Sequence, residues 1–253
     1  MSKEKRHLMT LLDIQELSVK IGDKQIINKL NLKIEAGKVY AIMGPNGSGK
    51  STLAFTLLGH PSCNVVNGGL VFKGRDITDL AVDKRSKLGI FLSFQNPYEI
   101  PGLQVLTYLK EIYSLHQEED ISIQEFKEKL KEYLEILNLD EAFLWRNLND
   151  NFSGGEKKRM EMLQLMVIQP SLAIVDEVDS GLDVDALQVV AKALNFCRAK
   201  NPDMGILLIT HYQRILEYII PDFVHVICNG FIVESGYADL AKKVEVAGYA
   251  KYS

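Results

Sequence analysis

Apolar residues along this chain gather in short unbroken runs separated by stretches of helical spacing, the pattern of a sheet covered on both faces. Val39 to Met43, Ile90 to Phe94, Leu172 to Asp176 and Gly205 to Thr210 read as parallel core strands. Leu17 to Val19, Ile26 to Ile34 and Leu70 to Lys73 read as an antiparallel layer beside them. Ser51 to Leu58 has the pattern of a helix. Between Leu103 and Trp145 the spacing changes to threes and fours. Ile123, Phe126, Leu130, Leu134 and Leu137 make one stripe expected to face a core, and Ser122 with Glu125 reads as a capping box. This predicts a helical lobe at about 103–150, inserted in a single domain spanning 1–253. Phe223 to Ile227 and Phe231 to Val233 flank Asn229-Gly230 as a hairpin, and Lys200 to Asp203 is a loop. The expected class is α/β, with a mixed core sheet, an antiparallel layer and the inserted lobe.

The chemistry starts where the first core strand ends. Gly44-Pro45-Asn46-Gly47-Ser48-Gly49-Lys50-Ser51 has the glycine, lysine and serine spacing of a phosphate-binding loop, followed at once by a helix carrying Thr52. Glycines let the backbone curl with its N–H groups inward, and the helix offers its positive end to phosphate. Lys50 is then expected to reach the β- and γ-phosphates of a nucleoside triphosphate, with the Ser51 hydroxyl on Mg²⁺.

Four further features follow in order. The run ending in Asp176-Glu177 places one carboxylate to hold Mg²⁺ and its water shell and a second to activate the attacking water. Ser153-Gly154-Gly155-Glu156 opens a helical pattern, which suits either an anion site or an ordinary helix cap. Gln95 and His211 each follow an apolar run, and taken singly both also read as polar residues at strand ends.

Together these motifs resemble the ATP-binding cassette (ABC) ATPase domain, with the likeness running from about Leu12 to Gly236. The resemblance implies a P-loop ABC ATPase fold that binds ATP and Mg²⁺. It implies Lys50, Gln95, Glu177 and His211 as catalytic residues, and Ser51, Gln95 and Asp176 at the metal. Gly44 to Thr52, together with Ser153, Gly154, Gly155 and Asp183 of the segment Ser180-Gly181-Leu182-Asp183, are implied at the nucleotide. It further implies an ATP-dependent homodimer in which each nucleotide lies between the loop of one subunit and the Ser153 helix of the other.

Within that family, Phe91 to Gly102, Phe152 to Arg159, Asp176 to Leu187 and Thr210 to Leu216 are similar to the SufC branch, the ATPases of SUF iron–sulfur cluster assembly. That likeness implies soluble SufB- and SufD-like scaffold partners, with a docking segment expected over Tyr98 to Leu106. The energy subunit of a membrane transporter is the alternative. Two positions depart from the pattern. Ile21 stands where an aromatic usually stacks on adenine, leaving base selectivity open. Val178 replaces a small polar residue, with no functional reading attached.

Composition adds little more. A net charge of −4 and pI ≈ 5.8 supply no basic field for nucleic acid. The cluster Lys157-Lys158-Arg159 reads as a solvated helix face or part of the nucleotide interface. Cys63, Cys197 and Cys228 are scattered, so they are expected to be structural thiols rather than cluster ligands. No run has the length of a membrane span and the start, MSKEKRHLMTLL, lacks the apolar centre of a secretory signal, so a cytoplasmic chain without membrane insertion is expected.

Overall fold

The computed structural model describes residues 9–94, 97–117, 119–178, 182–210 and 214–252. The chain opens with β1 (Thr10–Ile21), β2 (Lys24–Glu35), β3 (Val39–Met43), α1 (Lys50–Leu58), β4 (Asn64–Phe72), β5 (Arg75–Asp76), α2 (Val82–Lys87) and β6 (Ile90–Ser93). A lobe of β7 (Ile100–Gln104), α3 (Val105–Gln117), α4 (Ile123–Ile136), a 3-10 turn (Glu141–Trp145) and β8 (Asn147–Leu148) follows. The remainder is α5 (Gly154–Ile168), β9 (Leu172–Asp176), α6 (Val184–Lys200), β10 (Gly205–Ile209), α7 (Arg214–Tyr218), β11 (Phe223–Cys228), β12 (Phe231–Gly236) and α8 (Ala238–Ala247).

One mixed sheet, in the order β12-β11-β3-β10-β9-β6, is parallel except for β12. A second sheet, β2-β1-β4-β5, is antiparallel. Side chains alternate across the mixed sheet and divide the interior in two. Val39, Ala41, Met43, Ala173, Val175, Ile206 and Leu208 face a core shared with α3 to α6. Tyr40, Ile42, Leu172, Ile174, Leu207 and Ile209 face the other, shared with α1 and the antiparallel sheet. Every residue of β3, β9 and β10 is buried, as parallel strands covered on both sides require.

The expected bounds of β3 and β9 coincide with the observed ones, while β6 and β10 each end one residue earlier. β1 is much longer than the sequence indicates. Its pairing with β2 slips between Ile14 and Leu17, and Glu16 there adopts φ 46, so the alternation that marks a strand is broken by a bulge. Phe126, Leu130 and Leu134 of α4 and Leu137 at its C-cap are buried, and the Ser122–Glu125 capping box is formed. Ile123 is 52% exposed, so the stripe starts one turn later than expected.

Arg85 fixes the far end of α1. It is buried and donates to the carbonyls of Thr56 (2.7 Å), Leu57 (3.0 Å), Thr78 (2.8 Å) and Leu80 (2.8 Å). The guanidinium thus meets the negative end of the helix. Gly59, at φ 84, ends α1 where a Cβ would lie 2.8 Å from Arg85 Nε and 2.9 Å from the Leu80 carbonyl. Replacing Arg85 by Met leaves several carbonyls unpaired, at a cost on the order of 3 kcal/mol. Urea unfolding is expected to show that loss; a change under about 0.5 kcal/mol would remove Arg85 from this role.

Candidate active site

The loop between β3 and α1 is shaped by close approaches. A Cβ at Gly44 would sit 2.2 Å from the Ile227 carbonyl oxygen on β11, and one at Gly49 would sit 2.8 Å from Ile27 Cδ1. Gly49 also adopts φ 108 and caps α1 with no side-chain acceptor, leaving the first N–H groups of the helix without a side-chain partner. The hairpin following β11 forms the floor, since Gly230 N–H donates to the Ser48 carbonyl at 3.0 Å.

Lys50 is folded into this loop. Its buried Nζ donates to the carbonyls of Gly44 (2.9 Å) and Pro45 (3.1 Å). Burial lowers its pKa, while the negative charges of Glu177 and Asp176 pull it back up.

β10 lies between β3 and β9, and Ile209 is in register with both Ile42 and Asp176. That order brings the acidic end of β9 beside the loop. Burial pushes the Asp176 carboxyl up to about 6; a hydrogen bond from Ser51 opposes this, Glu177 raises it further, and Lys50 and Lys158 lower it. Among the described residues, Asp176 Oδ1 and Ser48 Oγ are buried without a hydrogen-bond partner. A buried carboxylate oxygen with spare acceptor capacity beside a serine hydroxyl is a donor set suited to a hard, oxygen-ligated cation such as Mg²⁺. Glu177 follows at φ 47, its N–H held by the Ile209 carbonyl at 2.8 Å. A non-glycine residue in that region stores strain on the order of 1 kcal/mol, a common property of functional positions. Val178 is 2% exposed and belongs to the core on the α3 to α6 side, which accounts for an apolar branched residue there.

Ser153 caps α5 in a complete capping box: its Oγ accepts from Glu156 N–H (3.2 Å), and Glu156 Oε2 accepts from Ser153 N–H (2.8 Å). Arg146 pairs with the other oxygen of Glu156. Both readings of the motif therefore have a structural footing, since nothing lies within 4 Å of a Cβ built at Gly154 or Gly155 and the helix start is open. Asp183 is exposed and caps α6, accepting from Ala186 N–H at 2.7 Å. Pro45 contributes its carbonyl to Lys50, Asn46 and Gly47 are exposed, and Thr52 contributes backbone within α1. Gln95 and His211, with Ser180 and Gly181, lie outside the described residues.

One member of the basic cluster, Lys158, departs from a solvated face. Lys157 pairs with Glu99 at 2.8 Å and Arg159 donates to the Asn138 carbonyl at 3.3 Å, while Lys158 is buried against Glu161 at 3.0 Å. The reason is Glu161, three residues on along α5, an acid buried among Met160, Met162 and Leu163. The sequence reading passed over it, although an acid within an apolar stretch of helix was the visible sign. Ile21 is partly exposed at the end of β1, next to the turn at Gly22. Burial pushes Cys197 up to about 12, and Cys228 donates to the Tyr252 carbonyl at 3.2 Å.

The profile of the ABC transporter family matches residues 27–180. Vegetative protein 296 of Bacillus subtilis is 47% identical over 240 residues, 94% of this chain and 91% of its own. A probable ATP-dependent transporter of Synechocystis is 46% identical over 244 residues, covering 95% and 94% of the two chains. Among solved structures, a nucleotide-free ATP-binding cassette from an ABC transporter matches with a TM-score of 0.76 at 25% identity, over 94% of this chain and 96% of that one. A dimeric bacterial ABC transporter cassette has the same fold, with a TM-score of 0.78 at 20% identity over 90% and 99% of the chains.

The loop's glycines differ in what they tolerate. Gly44→Ala forces a methyl against backbone and is expected to weaken Mg²⁺–ATP binding at least about tenfold. Gly47→Ala enters open space at φ 77, so it is expected to cost only about 1 kcal/mol of stability. Calorimetric titration with thermal unfolding separates the two; equal effects on binding would contradict the close approach at Ile227.

Proposed function

The chain belongs to the ABC transporter family of ATP-binding cassettes and is an Mg²⁺-dependent ATP hydrolase, a premise from which we propose that it drives a soluble SUF-type iron–sulfur cluster scaffold. The hydrolytic half of this reading is carried by the meeting of Lys50, Ser51 and the spare oxygen of Asp176 at the carboxyl edge of the sheet.

In the proposed mechanism the N–H groups of Gly44 and of Asn46 to Ser51, with the Lys50 ammonium, take the phosphates, Lys50 exchanging its two loop carbonyls for phosphate oxygens. Ser51 and Asp176 would hold Mg²⁺, with Gln95 as a further ligand. When bound, the ion supplies neutralisation of the charge on the phosphate oxygens. Water attacks the γ-phosphorus, the bond to the bridging oxygen breaks, and the water's proton passes to Glu177. His211 steadies the γ-phosphate. Ser153, Gly154, Gly155 and Asp183 act on the nucleotide held by a second copy, so ATP closes a homodimer. The chain's own half-site is incomplete without it.

The partner half of the reading is supported by the SufC-like stretches and by an exposed segment next to the lobe. Tyr98 and Ile100 are 87% and 43% exposed, and Phe94, Pro97, Tyr98, Ile100, Tyr108 and Leu148 line a groove of about 310 Å³. The expected docking segment ran to Leu106, but Val105 and Leu106 are buried in the lobe core, so the accessible part is Tyr98 to Gln104. A transmembrane permease is the second reading, favoured by the transporter names of several relatives. Among the described residues no helix is long and apolar enough to cross a membrane.

Glu177→Gln is expected to lower hydrolysis at least about a hundredfold while ATP affinity stays within about threefold, so that an ATP-bound dimer accumulates. Phosphate release and sizing with ATP test this, and turnover within a few-fold of wild type excludes Glu177 as the base. Lys50→Ala is expected instead to weaken binding itself, by about tenfold or more.

Combined substitution of Tyr98→Ala and Ile100→Ala is expected to lose capture of a SufB- or SufD-like scaffold, and with it the scaffold's stimulation of turnover, at unchanged nucleotide affinity. Undiminished capture refutes the placement. Recovery of a transmembrane permease as the native partner overturns the SUF reading.

A further inference from the structure

Lys158 and Glu161 lie one turn apart on α5, and both are withdrawn from water, with side chains 7% and 3% exposed. Between them they take both backbone groups of one residue. Lys158 Nζ donates to the Phe94 carbonyl at 2.6 Å, and Phe94 N–H donates to Glu161 Oε1 at 2.5 Å. Glu161 Oε2 also accepts from Ser93 Oγ at 3.0 Å and from Lys158 at 3.0 Å. Ser93 is fully buried and in register with Val175, the residue before Asp176.

Desolvating two charges is costly, and an apolar pair of similar volume commonly packs as well or better. Packing alone therefore does not explain the pair, whereas its geometry ties three things together. Ser153 caps the start of α5, β6 ends at Ser93 so that Phe94 alone stands between it and Gln95 in the chain, and β9 ends at Asp176. A rigid helix whose open end meets the nucleotide of a second copy also grips the residue preceding Gln95 of its own.

We propose that Lys158 and Glu161 are positioning residues that couple the two nucleotide sites of the closed dimer, carrying the setting of the Ser153 helix to the Gln95 segment through the backbone of Phe94. The inference rests on the two-site dimer described above and is independent of the scaffold's identity.

The test is the ATP dependence of hydrolysis by the full chain without scaffold, comparing wild type with a double variant carrying Lys158→Met and Glu161→Leu. The wild type is expected to give a Hill coefficient approaching 2, and the double variant about 1, with kcat lower by about tenfold and the Kd of the single subunit for ATP within about twofold. A structural role alone predicts a change in Tm without a change in Hill coefficient at temperatures where the variant is folded. Glu161→Gln keeps the shape and one acceptor but loses the charge facing Lys158, so an intermediate Hill coefficient is expected even if the double variant does not fold. Wild-type cooperativity and kcat in a folded double variant, or in Glu161→Gln, overturns the coupling, and so does a non-cooperative wild-type dimer. A wild type that stays monomeric with ATP overturns the two-site reading and this inference with it, whereas a wild-type dimer beside unaffected variants overturns this inference alone.

Discussion

Two opposite charges, the Lys50 ammonium and the Asp176 carboxylate, are held out of water at one edge of a parallel sheet, and much of the surrounding structure serves to make that tolerable. Lys50 satisfies its donors on the carbonyls of its own loop, and Ser51 donates to Asp176. Each charge stabilises the other, yet Asp176 retains an unpaired oxygen. A nucleotide with its cation completes both sets of partners at once. The site is thus poised by incomplete hydrogen bonding, the kind of shortfall that buried polar groups otherwise avoid.

The sheet also explains why the two halves of the proposed nucleotide grip belong to different bodies. α1 and the antiparallel layer pack on one face, and the lobe with α5 and α6 packs on the other. The apolar interior of each is continuous within itself, so a displacement of the lobe leaves the phosphate loop's own support in place. The two faces share the strands between them, and at the sheet's carboxyl edge the field of Lys158, on the α5 side, reaches Asp176.

What was legible in the sequence follows from the same division. β3 and β9 sit under cover on both faces, so their apolar runs are unbroken and their ends fall at the loop and at Asp176. β1 was legible only in part because of its bulge at Glu16, and β7 is obscured by Pro101 and Gly102, which fall in the register shift between its two pairings with β8, Ile100 with Leu148 and Gln104 with Asn147. Lys158 was misread because charge says nothing about direction: on a helix start it suggests solvent, and only Glu161 three residues on turns it inward. Asp183 looked like a nucleotide contact, and the structure also gives it the work of capping α6. Val178 had no reading until its burial was seen.

The floor of the phosphate loop has a consequence for the order in which the chain becomes competent. Ser48 is held by Gly230 and Gly44 lies against Ile227, so residues separated by roughly 180 positions must meet before the loop has its shape. β3 itself needs β10 and β11 as neighbours. A ribosome that has released only the first half of the protein has therefore displayed the entire Gly44 to Ser51 motif without making a nucleotide site. Such a nascent chain exposes an apolar strand with both edges open, and its escape from wrong pairing depends on how soon the last hairpin arrives.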